Sequence, residues 1–195
     1  MSINLKKGGT INLSKEAPGV TKFSLAIGWD ENKGQSEHDF DPDVTVFVCD
    51  ENARCLSERD MVFYNDPTDS TGAILHSGDD RTGAGDGDNE TIHIDAAKLG
   101  DNAKIIKGVI TIDEAVARNQ NFVMMENAFA RLYETESGKE VCRYNLTEDG
   151  GTSIAMHFLN ITVNPDKTLN FDVIGEKSEK TLADFCREVG LVVAG

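Results

Sequence analysis

Basic residues are scarce in this chain. Nineteen lysines and arginines stand against 34 aspartates and glutamates, a formal net charge of −15 over 195 residues. A nucleic-acid surface needs clustered Lys and Arg to displace counterions, so that class of partner is excluded and cations are the natural one. Long apolar runs are missing as well. No window approaches the roughly 20 apolar residues of a membrane span, and the N-terminal MSINLKKGGTINL lacks the apolar core of a secretory signal. The expectation is a cytoplasmic protein with no direct membrane insertion. The four cysteines, Cys49, Cys55, Cys142 and Cys186, form neither a C-x-x-C pair nor a zinc-ligand pattern. Cys49 ends an apolar run and Cys186 falls on an apolar helix face, so they read as free thiols used for packing.

Enough apolar sequence is present, 39% of residues, to bury the core of one domain spanning 1–195. Strand signals dominate: 22–29, 44–50, 61–65, 73–76, 91–95 and 105–112 are β-branched or aromatic and bounded by Gly, Asp, Asn or Pro. They recur without long helices between them, which argues against a parallel α/β sheet. DEAVARNQ (113–120) predicts a short helix capped by Asp113 that crosses between sheets. Strands resume at 127–134, 140–146, 153–163 and 168–174, with NPDKT (164–168) as a hairpin turn. Leu182, Phe185, Cys186 and Val189 at helical spacing behind Ser178 predict a C-terminal helix packed on one end of the sheets. The sum is an all-β fold, a mostly antiparallel β-sandwich with one or two short helices.

The chemistry is concentrated in GDDRTGAGDGDNE (78–90), where Asp79, Asp80, Asp86, Asp88 and Glu90 have only Arg81 to offset them. Carboxylates packed this closely repel, so the loop either stays solvated or closes around a cation. Oxygen donors at 86, 88 and 90, with glycines that let carbonyls approach, suit Ca²⁺ or Mg²⁺ rather than a soft metal. Thr91 occupies the EF-hand's glycine position, so any such site is assembled from several loops. HDFDPDV (38–44) offers Asp39, Asp41 and Asp43 before one strand, and Asp30 follows another. If these strand ends meet, six or more carboxylates converge.

DPDVT and GDGDNE also resemble the nucleophile and Mg²⁺ motifs of haloacid-dehalogenase-type phosphatases, which keeps a Mg²⁺-dependent hydrolase as the alternative. The context opposes it: EHDF, not a buried apolar strand, precedes Asp41, and no helices fill the interval from 41 to 86. His38, His76, His93 and His157 are scattered without a nucleophile in an elbow pattern, so they read as strand or loop histidines.

Taken in order, LKKGGTINLSKEAPGVTKFSLAIGWD, DPDVTVF, MVFYN, HSGDDRTGAGDGDNE, VITIDEAVARNQNF and NAFARLYETESGKEVCRYNL resemble the TerD family of tellurium-resistance and stress proteins. The resemblance covers residues 1 to 158; beyond AMHF the sequence diverges from the family pattern. It implies a non-enzymatic β-sandwich whose acidic loops bind two Ca²⁺ ions. The matching ligand positions are Asp30, Asp41, Asp43, Asp79, Asp86, Asp88 and Glu90, with backbone oxygens at Thr82 and Gly85. The implied partners are other proteins of the stress system, including membrane-associated ones.

Overall fold

A computed structural model describes residues 3–4, 10–12, 17–85 and 87–192; Asp86 lies outside the described residues. Twelve strands are described in two sheets. The first has the order β1 (Ile3–Asn4), β10 (Glu140–Asn145), β9 (Phe129–Glu134), β3 (Lys22–Gly28), β7 (Glu90–Asp95), β6 (Ile74–His76). The second runs β2 (Thr10–Asn12), β12 (Leu169–Ser178), β11 (Ala155–Val163), β8 (Ile105–Ile112), β4 (Pro42–Cys49), β5 (Met61–Val62). Only the β1–β10 pair is parallel among them. The sheets pack face to face through their apolar sides: Phe23 of β3 meets Phe171 of β12 with ring centroids 6.0 Å apart, and Tyr144 of β10 meets Phe158 of β11 at 5.7 Å. This is the antiparallel β-sandwich expected from the short, turn-bounded strands.

β4 departs from simple in-out alternation, being buried on both faces. The reason is the C-terminal helix. Helices α1 (Ala115–Arg118), α2 (Leu146–Gly150) and α3 (Leu182–Glu188) are short, and α3 lies over the outer face of the second sheet rather than on one end. Lys107 of β8 stands over the Phe185 ring at 5.3 Å and bonds Glu188 at 3.0 Å, and Cys186 Sγ touches Met61 Sδ at 3.5 Å. Lys107, Phe47 and Met61 are opposite one another in the ladder, so α3 roofs that face and Phe47 is fully buried.

The helix caps differ from the sequence expectation. Ser178 ends β12, and Thr181 caps α3 through a box in which its hydroxyl accepts from Asp184 N–H while the Asp184 carboxylate accepts from Thr181 N–H. α1 links β8 of one sheet to β9 of the other, as expected, but its cap position is Glu114, in a left-handed conformation with no side-chain bond, instead of Asp113. The 164–168 hairpin closes as read, with Asn164 N–H on Thr168 O at 2.9 Å. The span 61–65 gives only two ladder residues. All four cysteines are free; three are buried and Cys55 is half-buried.

Candidate functional site

One end of the sandwich collects the strand ends that carry the acidic residues. β3 finishes at Gly28 beside the start of β7, where Ile27 pairs with Glu90. Asn89 ties the long loop to that junction: its N–H donates to Ile27 O and its Oδ1 accepts from Trp29 N–H, each at 2.9 Å. Gly28 is required there, because a Cβ would collide with the Gly87 carbonyl and the Phe129 ring. Gly83, at φ +73°, turns the loop where it packs against Trp29. The approach to β4 is pinned from α1's side by Gln120, whose Nε2 donates to Ser36 Oγ, His38 O and Asp39 O. Asp113 N–H then holds Asp41 O at 2.8 Å.

These constraints bring Asp41, Asp43 and Asp79 together. Each offers a carboxylate oxygen within 4.8 Å of the others, and Asp41 and Asp43 are buried. They line a cavity of about 160 Å³ with Tyr64, Arg81 and Asp113. Arg81 Nε donates to Asp41 Oδ2 at 3.3 Å, but its side chain is two-thirds exposed, and Asp41 Oδ1 is buried with no hydrogen-bond partner. Burial, followed by the charges of Glu90, Asp41, Asp113 and Asp79, pushes the Asp43 carboxyl up to about 8. Burial likewise raises Asp41, against the opposing bond from Arg81. A carboxylate cluster so poorly compensated favours either protons or a hard cation.

Glu90 stands behind the trio, fully buried. Its Oε2 accepts from Val44 N–H at 3.0 Å and lies 3.5 Å from His76 Nε2, while Oε1 has no partner. His76 Nδ1 accepts from Gly78 N–H at 3.1 Å. In the neutral ring the proton therefore belongs on Nε2, facing Glu90. The other strand histidines have hydrogen-bond partners: His93 Nδ1 meets Ser24 Oγ at 2.8 Å and His157 Nε2 meets Asn160 Oδ1 at 2.9 Å.

The remaining sequence-identified residues are distributed differently. Asp88 is held by Arg131 of β9 through two bonds of 2.7 Å. Asp30 accepts from Asn127 at 2.8 Å and neighbours Lys33. Asp30 and Gly85 line a second cavity of about 490 Å³ with Trp29, Gly87, Asn127 and Asn145. Thr82 is engaged with Asp80, whose Oδ1 accepts from Thr82 N–H, Thr82 Oγ1 and Gly83 N–H and whose Oδ2 accepts from Asn89. Asp80 is thus a turn-former; these bonds outweigh partial burial and hold its pKa below the usual range. Asp39 is exposed, and it is not one of the three carboxylates gathered within 4.8 Å of one another. Sequence reasoning missed Asp113, Tyr64 and Arg131. Asp113 carried a signal, an acidic residue at the end of a strand, that was absorbed into the helix-cap reading.

A two-layer antiparallel sandwich with buried carboxylates gathered at one end by three loops defines an acidic β-sandwich module. The TerD domain family model matches residues 1–188, and the chain belongs to that family. It is 38% identical over 193 residues to general stress protein 16U of Bacillus subtilis, covering 99% of this chain and all of that one. It is 37% identical over 191 residues to the tellurium resistance protein TerD of Serratia marcescens, covering 98% of each. The crystal structure of a TerD homologue from Streptomyces coelicolor A3(2) superposes with a TM-score of 0.74 at 16% identity, covering 89% of this chain and all of that one, a likeness of fold. Among the described residues no helix is long and apolar enough to cross a membrane.

Proposed function

We propose that this protein is a non-enzymatic Ca²⁺-binding module of a tellurite- and stress-response system, acting in the cytoplasm, and that calcium orders its acidic loops into a surface for partner proteins. The observation that supports the reading most is the buried trio Asp41, Asp43 and Asp79 with the unpartnered Asp41 Oδ1. An all-oxygen donor set fits a hard cation. Asp41, Asp43 and Asp79 would hold the ion, with Asp113 at the rim; Glu90 and His76 behind them keep Asp43 and the start of β4 in place. A second ion would take Asp30 and the Gly85 carbonyl at the neighbouring cavity; Asp86, the further ligand that the family resemblance implies, lies outside the described residues. The names of the relatives, a general stress protein and a tellurium resistance protein, support the cellular role.

The bound ion would supply positive charge that offsets the repulsion among the carboxylates. The carboxylate trio, now offset by the exposed Arg81, would then be drawn together by the ion. Calorimetric titration of chelator-stripped protein is the test. One or two saturable Ca²⁺ sites, weak competition by Mg²⁺ and loss of a site in Asp41→Asn are expected. Absence of Ca²⁺ binding would return residues 78–90 to a solvated loop. Turnover of a phosphoester that required Mg²⁺ and the same aspartates would replace the binding module with a hydrolase.

A further inference from the structure

Away from the acidic end, the hairpin that follows β4 places two thiols face to face. Cys49 and Cys55 are directly opposite in an antiparallel bridge. The flanking bonds run from Leu56 N–H to Val48 O at 3.1 Å and from Asp50 N–H to Arg54 O at 2.9 Å, while Cys55 N–H turns away to Val189 O. That pattern marks a non-hydrogen-bonded pair, in which opposite Cα atoms approach to about 4.5 Å with both side chains on one face. A disulfide spans Cα separations of about 4.4–6.8 Å.

The hairpin is held rigidly in this register. Asp50 Oδ1 accepts from Asn52 N–H and Arg54 N–H at 2.8 and 2.9 Å, and Arg54 Nη1 donates to Glu188 O at 3.3 Å. The two sulfurs make only weak hydrogen bonds, Cys49 Sγ with Phe47 O at 3.6 Å and Cys55 Sγ with Ser57 O at 3.3 Å. The third nearby thiol, Cys186, is turned toward Met61 Sδ.

We infer that Cys49 and Cys55 are a dithiol modification site that closes to a cross-strand disulfide when a peroxide reaches the half-buried Cys55. The Cys55 thiolate attacks one peroxide oxygen; the O–O bond breaks, hydroxide leaves and takes a proton to become water, and Cys55 becomes a sulfenic acid. The Cys49 sulfur then attacks Cys55 Sγ, forming the S–S bond and expelling the sulfenic oxygen as a second water. Two thiols and one hydrogen peroxide give one disulfide and two waters. Cys55 comes first because Cys49 is fully buried. Burial, reinforced by charged or titrating neighbours, pushes Cys55 up to about 11 and Cys49 up to about 12. The first step is therefore slow near neutrality.

Trypsin cuts between the two cysteines at Arg54, which makes the link readable. The folded full-length protein is treated with hydrogen peroxide, blocked with iodoacetamide and digested without reduction. Peptide 34–54 joined to peptide 55–59 is the expected product, about 2 Da lighter than the two reduced peptides and lost on reduction. The Cys55→Ser variant gives no linked pair, and Cys142→Ser keeps it. A Cys55–Cys186 link, or Cys55 oxidised to sulfinic acid with Cys49 still alkylated as a free thiol, would overturn the inference. Because the wild-type peptide map decides the matter alone, a poorly folding variant leaves the test intact.

Discussion

Asp43 is the second residue of β4, and its carboxyl is pushed up to about 8 by burial and by four neighbouring acids, Glu90, Asp41, Asp113 and Asp79. Its ordinary value is 3.8. Between these values the folded protein keeps a proton that the unfolded chain has released, so stability from this group is full below about pH 4 and falls as pH rises toward 8. Asp43→Asn should flatten that fall and raise the metal-free protein's stability at pH 8 by more than about 1 kcal/mol, roughly 3 °C in Tm. Thermal unfolding in chelator measures it, and a variant curve that tracks the wild type would show that Asp43 ionises like a surface acid. On the proposed reading, calcium would have to expel the same proton, and its affinity should climb across the same pH window. Arg81 stands in the cavity as a tethered cation on Asp41. Arg81→Gln should tighten calcium several-fold by removing a competing like charge, and an unchanged or weaker affinity would show that Arg81 aids the site.

At the level of elements, legibility tracked the range of the interactions. β8 was read at its observed limits, 105–112, because each of its residues is patterned by its own neighbours in sequence. The loop 78–90 was recognisable as a chemical unit from composition alone. Its internal division was not, since Asp88 answers to Arg131 and Glu90 to Val44 and His76, partners 14 to 46 positions away. For α3, the sequence reading placed the cap at Ser178, whereas Thr181 takes it through the reciprocal bond with Asp184, a pairing that the apolar stripe did not reveal. Thr181→Ala should cost about 1 kcal/mol, visible in denaturant unfolding; no loss would mean that packing of Phe185 alone sets the helix start. Arg131→Gln leaves Asp88 half-buried without its two-bond partner, a cost of about 1–3 kcal/mol. Amide exchange should then quicken through 78–89 while β8 stays protected, whereas unchanged exchange in the loop would mean that Asn89 and Asp80 hold it unaided.

For the whole molecule, a net charge of −15 disfavours the compact state through self-repulsion. Sodium chloride should therefore raise the melting temperature of the metal-free protein, and, if the acidic end takes up calcium as proposed, the salt effect should shrink in its presence. Equal salt slopes with and without calcium would mean that the repulsion is spread over the surface. The fold class was visible in the sequence because ten short turn-bounded segments follow one another with almost no helix. The placement of α3 over a sheet face was hidden, because the apolar stripe of a helix does not say which apolar surface receives it.

The N-terminal segment contributes an edge strand to each sheet, β1 beside β10 and β2 beside β12. Thr10 to Asn12 pair with Asp172 to Asn170, so β2 has no partner until a segment about 160 residues further along the chain has been synthesised. At about 5–20 residues per second that wait is on the order of 10–30 s. A net charge of −15 opposes association between copies whose β12 edge is still uncovered, so the composition that strains the finished fold also guards that edge until β2 docks.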